Sequence, residues 1–179
     1  MSPQLLVEPL HVYLNDHLTG AFGGAALADR IARAHPGSTR SNDMWQLARD
    51  IEQDRNDLVR IMNRLGVPVR RYRTWLGLAG ERLGRLKPNG TIMHRSPLSD
   101  LIELETLRTG VEGKAALWRA LRAVAARDER LDQEELDRLA ERAAAQARTL
   151  NDWHRLVSSA VLARRPDTGQ AGTGSNPAP

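Results

Sequence analysis

Residues 96–126 read SPLSDLIELETLRTGVEGKAALWRALRAVAA and predict one long amphipathic helix. Ser96 suits the N-cap position, and Pro97 suits the first helical turn, where a missing N–H group costs no hydrogen bond. Apolar residues recur at the spacings of three and four that are typical of a helix with one buried face; they are Leu101, Leu104, Val111, Ala115, Trp118 and Val124. The rest of the chain therefore has to cover this face.

Charged residues interrupt the same face. Glu105, Arg108 and Glu112 lie at helical spacing along or beside the apolar stripe. A buried carboxylate without a partner costs far more free energy than one in water. We therefore expect these side chains to meet a metal ion, a cation or hydrogen-bond donors from other helices.

The amino-acid composition excludes several classes of site and of protein. The chain has 179 residues, enough for one domain, and a net charge of +4, which does not by itself indicate a nucleic-acid partner. It contains no cysteine, which excludes disulfides, thiolate metal sites and cysteine nucleophiles. No apolar run approaches the ~20 residues of a membrane span, and the first residues lack the pattern of a signal peptide. We therefore expect a cytoplasmic protein without a transmembrane segment.

Three further helices are predicted from apolar periodicity and from start and stop signals. Helix A covers residues 9–34 and ends before His35-Pro36-Gly37, and helix B covers residues 41–65 and ends at Gly66. Helix D covers residues 132–164, where Asp132 and Glu135 form the pattern of a capping box. The glycines of helix A weaken it and permit close helix contact.

The connection from Gly66 to Arg95 is too long for a turn between neighbouring antiparallel helices, so we expect it to cross the molecule. It contains a short helical pattern with one basic side, formed by Arg70, Arg71, Arg73, Arg82, Arg85 and Lys87. One interpretation is that its apolar side covers the bundle while the basic side chains stay in water. The alternative is a peripheral binding surface for an anionic membrane or nucleic acid. Residues 165–179 are rich in Gly, Pro and Ser and predict a disordered tail.

Four helices with one long B–C crossover resemble the ferritin-like superfamily of all-α four-helix bundles, over a single domain at residues 9–164. The segments YLNDHLTGAFGG, SPLSDLIELE and GVEGKAALWRAL are similar to those of actinobacterial-type ferritin-like proteins that have a degenerate metal site and no assigned activity. The resemblance implies Glu on helices A and C and Glu-x-x-His on helices B and D, around a pair of iron or manganese ions.

The chain departs from that ligand pattern. Helix B keeps Glu52 but has Arg55 at the His position, and helix D keeps His154 but has Asn151 at the Glu position. Helix C offers Glu105, and helix A offers no Glu. With equal rise in helices C and D, Glu105 is expected opposite His154, and Glu112 opposite Gln146.

Two interpretations of these residues remain open. In the first, arginines neutralise the carboxylates in an internal network of Glu52, Arg55, Glu105, Arg108, Glu112 and Gln146, without a cofactor. The protein is then a non-enzymatic binding or assembly module, and homo-oligomers are possible. In the second, an iron or manganese site uses Glu52, Glu105, His154 and His17, as in a metal-binding protein or an oxidase. The sequence does not decide whether the protein is an enzyme and identifies no catalytic residue.

Overall fold

A computed structural model describes residues 4–34, 41–69 and 97–163, which form four α-helices and one short 3-10 turn. The helices are α1 (Gln4–Ala34), α2 (Ser41–Arg64), α3 (Pro97–Val124) and α4 (Gln133–Leu162), and the turn Ala125–Arg127 follows α3. The prediction of an all-α protein with four helices is confirmed for these ranges. Within them, no helix combines the length and the apolar character needed to cross a membrane.

Two predictions fall on other parts of the chain. The short basic helix of the crossover lies outside the described residues, and so does its proposed anionic-surface site of Arg70, Arg71, Arg73, Arg82, Arg85 and Lys87. The predicted tail at residues 165–179 also lies outside them. Both stay predictions.

The observed helix ends follow local chemistry. α1 begins at Gln4 rather than at Pro9, so Pro9 lies inside the helix, where it has no N–H group to bond to the carbonyl four residues before it. Gly66 ends α2 with a φ of 67°, a left-handed conformation that glycine adopts without strain. The N–H groups of Gly66 and Val67 then bond to the carbonyls of Asn63 and Met62 at 3.1 and 2.9 Å, which is a Schellman motif.

The start of α4 is capped as the sequence indicates. The Asp132 carboxylate accepts hydrogen bonds from the backbone N–H groups of Glu134 at 2.9 Å and Glu135 at 3.2 Å. The Glu135 side chain bonds to Arg60 and Arg64 of α2. Glu135 therefore ties α4 to α2.

Contacts between helices fix their directions. Glu105 of α3 meets His154 near the end of α4, and Arg60 near the end of α2 meets Glu135 near the start of α4. α4 is therefore antiparallel to both α3 and α2, so α2 and α3 run in the same direction. Their common direction places Val69 and Pro97 toward opposite ends of the bundle.

The apolar core is divided into two clusters. One contains Leu18, Leu58, Trp118 and Leu139, and the other contains Leu27, Ile51, Leu107 and Leu150. Each helix contributes to both clusters and is interrupted between them by polar residues or glycines. The interruption lies at the same height in all four helices and forms a layer across the middle of the bundle.

Candidate functional site

The centre of this layer is the ammonium group of Lys114. Lys114 interrupts the apolar stripe of α3, with Val111 and Trp118 on either side. Its Nζ donates hydrogen bonds to Asp54 Oδ2 of α2 and to Gln146 Oε1 of α4. Gln146 Nε2 also donates to Asp54 Oδ2, at 2.9 Å. Three helices are therefore joined around one cation.

Arg142 of α4 completes the coordination of Asp54. Its Nε donates to Asp54 Oδ1 at 2.7 Å, and its Nη2 donates to Asp57 Oδ2 at 2.5 Å. Asp54 and Asp57 are 1% and 3% exposed, so both carboxylates are removed from water. The planar guanidinium bridges the two because its N–H groups are fixed in a fork.

The network continues to the surface along α2. Asp57 Oδ1 accepts a hydrogen bond from Gln53 at 3.0 Å and pairs with Arg60 at 2.8 Å. Arg60 in turn donates to Glu135 at 2.8 Å, and Arg64 donates to the other oxygen of the same carboxylate. Positive and negative charges alternate along the whole chain of contacts, so each buried charge has an opposite neighbour.

Burial and pairing act on the protonation of these groups in opposite directions. Burial lowers the pKa of Lys114 below its ordinary value, although Asp54 favours the charged ammonium. Burial also acts to raise the pKa of Asp57, but hydrogen bonds from Arg142, Arg60 and Gln53 outweigh it and hold that pKa below its usual range. We therefore expect Asp57 to be ionised at neutral pH.

The predicted internal network is wrong in most of its members. The Glu52 side chain is 58% exposed and bonds at 3.1 Å to Arg55, whose side chain is 21% exposed. Arg55 also lies over the Phe22 ring, 5.0 Å from its centroid. This pair belongs to the surface of α2 because the helix turns its neighbour Asp54 inward.

On α3 the predicted positions are rotated outward. Glu105 meets His154 at 2.9 Å, but its side chain is 53% exposed. Arg108 is half-buried and Glu112 is exposed, and Gln146 bonds to Lys114 instead of Glu112. Gln146, which is 4% exposed, is the one predicted member that lies inside the observed network.

Of the predicted metal ligands, Glu105 and His154 meet each other, but Glu52 pairs with Arg55 and His17 packs against Tyr13. Among the described residues, no three His, Cys, Asp or Glu side chains are grouped closely enough to hold a metal ion. Glu52, Glu105, His154 and His17 therefore do not form a metal site in this structure. His17 packs its ring edge-on against Tyr13, with centroids 4.5 Å apart, and burial lowers its pKa, while Asp16 opposes that shift.

The sequence did not identify Asp54, Asp57, Lys114 or Arg142 as members of the network. A signal for Lys114 was present, because Leu107, Val111, Lys114, Trp118 and Leu121 continue an alternation of three and four. A charged residue in the middle of such a stripe is a candidate for a buried ion pair. Asp54 was harder to identify, because it and Arg55 both fit the spacing between Ile51 and Leu58.

A groove of about 700 Å³ adjoins the layer between α1, α2 and α3. Glycines form much of its wall and come from two helices; they are Gly20, Gly23 and Gly24 of α1 and Gly110 and Gly113 of α3. A Cβ atom added to any of them meets no described atom within 4 Å beyond its own chain neighbours and helix backbone. The α1 glycines would permit a close helix contact, but among the described residues none is made at them, and these positions border open space.

Lys114 and Trp118 also line the groove, one turn apart on α3.

The chain was compared with protein-family models, with curated proteins and with solved structures, and none of the three comparisons found a match.

Proposed function

We propose that this protein is a non-enzymatic four-helix binding or assembly module, in which paired side chains replace the metal centre of a ferritin-like bundle. The observation that carries the proposal is the position of Lys114. Its ammonium group lies between the two apolar clusters and is bound by Asp54 and Gln146. Ferritin-like bundles hold their metal ions among side chains of facing helices in the core, so a protein cation shared by three helices supports the replacement of that centre.

The donor set supports this interpretation over a metal site. A di-iron or di-manganese centre uses several carboxylates and imidazoles whose oxygen and nitrogen lone pairs face the metal. Here Asp54 receives donors from Lys114, Gln146 and Arg142, and Asp57 receives donors from Arg142 and Gln53. Arg and Lys donate hydrogen bonds and, when charged, offer no lone pair to a metal.

The network also gives α2 its place in the bundle. The helix pairs that pack most closely are α1 with α2, α1 with α3, and α3 with α4. Long side chains of the layer connect α2 to α3 and α4 across the remaining space. Buried ion pairs of this kind contribute more to the register between helices than to the free energy of unfolding. The reason is that the cost of desolvating the charges offsets much of their Coulomb attraction.

Metal analysis of the purified full-length protein tests the proposal. Cells are grown with added iron and manganese, and the protein is dialysed against EDTA before mass spectrometry of the metals. We expect well under one metal ion per chain. One or two iron or manganese ions retained per chain would overturn the proposal and favour the metal-binding alternative.

A further inference from the structure

The glycines of the groove carry a cost that no packing contact explains. Replacing alanine by glycine inside a helix lowers the helix-formation equilibrium constant by up to about fivefold, and five glycines line this groove. Since an added Cβ meets no described atom within 4 Å beyond its own chain neighbours and helix backbone, none of them is needed for a close helix crossing. Their common effect is to keep the groove wide.

Trp118 supplies a second, independent observation. The residue is 0% exposed and lines the groove. Its Nε1 is buried and, among the residues that the structure describes, has no hydrogen-bond acceptor. Buried N–H groups are nearly always paired, so this one points to an acceptor supplied from outside the four helices.

Most of the charges around the groove are paired. Its ionisable lining residues are Asp16, His17, Asp54, Arg55 and Lys114. Lys114 is paired with Asp54, and Arg55 with Glu52. His17 is half-buried with a lowered pKa, which favours the neutral imidazole at neutral pH. Asp16, the remaining charge on this wall, is an exposed carboxylate that water can solvate, so the wall does not call for an ionic ligand.

The geometry points to a binding site for a small, neutral, mostly apolar molecule that carries a hydrogen-bond acceptor, such as a carbonyl oxygen, for Trp118 Nε1. The volume of about 700 Å³ lies within the range of small-molecule pockets. The inference deepens the proposed binding function and rests on it, since it names the site and the chemical class of the ligand.

Titration of the full-length protein with prodan tests this site. Prodan is a neutral naphthalene with a ketone oxygen, and its fluorescence shifts to the blue in an apolar environment. We expect saturable binding of one prodan per chain with a blue shift. The anionic dye 1-anilinonaphthalene-8-sulfonate is expected to bind more weakly. An absence of saturable prodan binding, or tighter binding of the anionic dye, would overturn the inference.

Two substitutions fill the groove from opposite walls. Gly23→Leu and Gly113→Leu place a large side chain into open space, and each should weaken prodan binding about tenfold or more. Ala120→Leu adds the same side chain on the exposed face of α3 and should leave binding unchanged. Helical content and unfolding temperature show that each variant is folded. Unchanged binding in folded groove variants would contradict the site.

Trp118→Phe tests the acceptor. The variant removes the indole N–H and should weaken prodan binding about fivefold, as expected for one hydrogen bond. Binding of 2-(dimethylamino)naphthalene, which lacks the ketone, should change less than twofold. Equal losses for the two probes would show that Trp118 provides only apolar surface and would overturn the acceptor assignment. Metal analysis is unaffected by these results, so the two proposals fail separately.

Discussion

Lys114 of α3 is hydrogen-bonded to Asp54 of α2 in the middle of the bundle, between the two apolar clusters. These two helices do not belong to the most closely packed pairs, so the contact is made across a gap by the length of the lysine side chain. Gln146 and Arg142 join the same carboxylate from α4. Asp54 therefore joins α2 to both α3 and α4.

Loss of Arg142 should leave two buried carboxylates without their shared partner. We expect Arg142→Gln to lower the free energy of unfolding by about 2 kcal/mol or more, since this side chain bonds to both Asp54 and Asp57. Arg138→Gln is the matched control on the same helix, because its pair with Glu134 is 3.9 Å long and exposed. The control should cost less than about 0.5 kcal/mol. Urea denaturation measures both, and equal losses would argue against the buried network.

The surface pair Glu105 and His154 should contribute little. Both side chains reach solvent, so Glu105→Gln should change the free energy of unfolding by less than about 1 kcal/mol. Asp54→Asn, on a side chain that is 1% exposed, should cost clearly more in the same urea titration. If Glu105→Gln lowered the free energy of unfolding more than Asp54→Asn does, the result would contradict the structure and favour Glu105 as the buried carboxylate, as the sequence predicted.

Glycines of two kinds should respond to alanine with opposite signs. Gly23→Ala should stabilise the protein by up to about 1 kcal/mol, because the new methyl group meets no described atom beyond its own helix. Gly66→Ala should destabilise it by about 1 kcal/mol, since the residue has a φ of +67°. Thermal and urea unfolding give both values. Destabilisation by Gly23→Ala would mean that protein atoms already fill the groove.

The groove histidine should make stability depend on pH. Burial lowers the pKa of His17 below its ordinary value, with Asp16 opposing, so the unfolded chain takes up a proton at a higher pH than the folded chain. The stabilisation is complete above about pH 6.5 and is lost as the pH falls through the pKa of the folded state. We therefore expect the free energy of unfolding of wild type, relative to His17→Gln, to decrease from about pH 7 to about pH 5. An increase toward acid pH would show that the shift has the opposite sign.

Local signals in the sequence were sufficient to predict the helices. Apolar spacing and the cap at Asp132 predicted α4, and Gly66 predicted the end of α2. The same counting placed Glu105 opposite His154, where the two side chains meet. Each of these features depends on residues that are close in the chain or on the constant rise of a helix.

Which charged residues are buried depends on how each helix is rotated about its own axis. The spacing of the apolar residues does not fix that rotation. Asp54 and Arg55 both continue the stripe of α2, but the structure turns Asp54 inward and leaves Arg55 against Phe22. The choice is made by Lys114 and Arg142, which come from distant parts of the chain. The groove could not be predicted from the sequence either, because glycines on α1 and α3 are as compatible with close helix contact as with open space.

A double-mutant cycle on Lys114 and Asp54 tests the central claim most directly. The free energy of unfolding is measured by urea denaturation for wild type, Lys114→Met, Asp54→Asn and the double variant. If the two side chains hold each other inside the bundle, the double variant loses about 2 kcal/mol less than the sum of the single losses. Losses that add to within about 0.5 kcal/mol would show that the two residues act independently and would contradict the account.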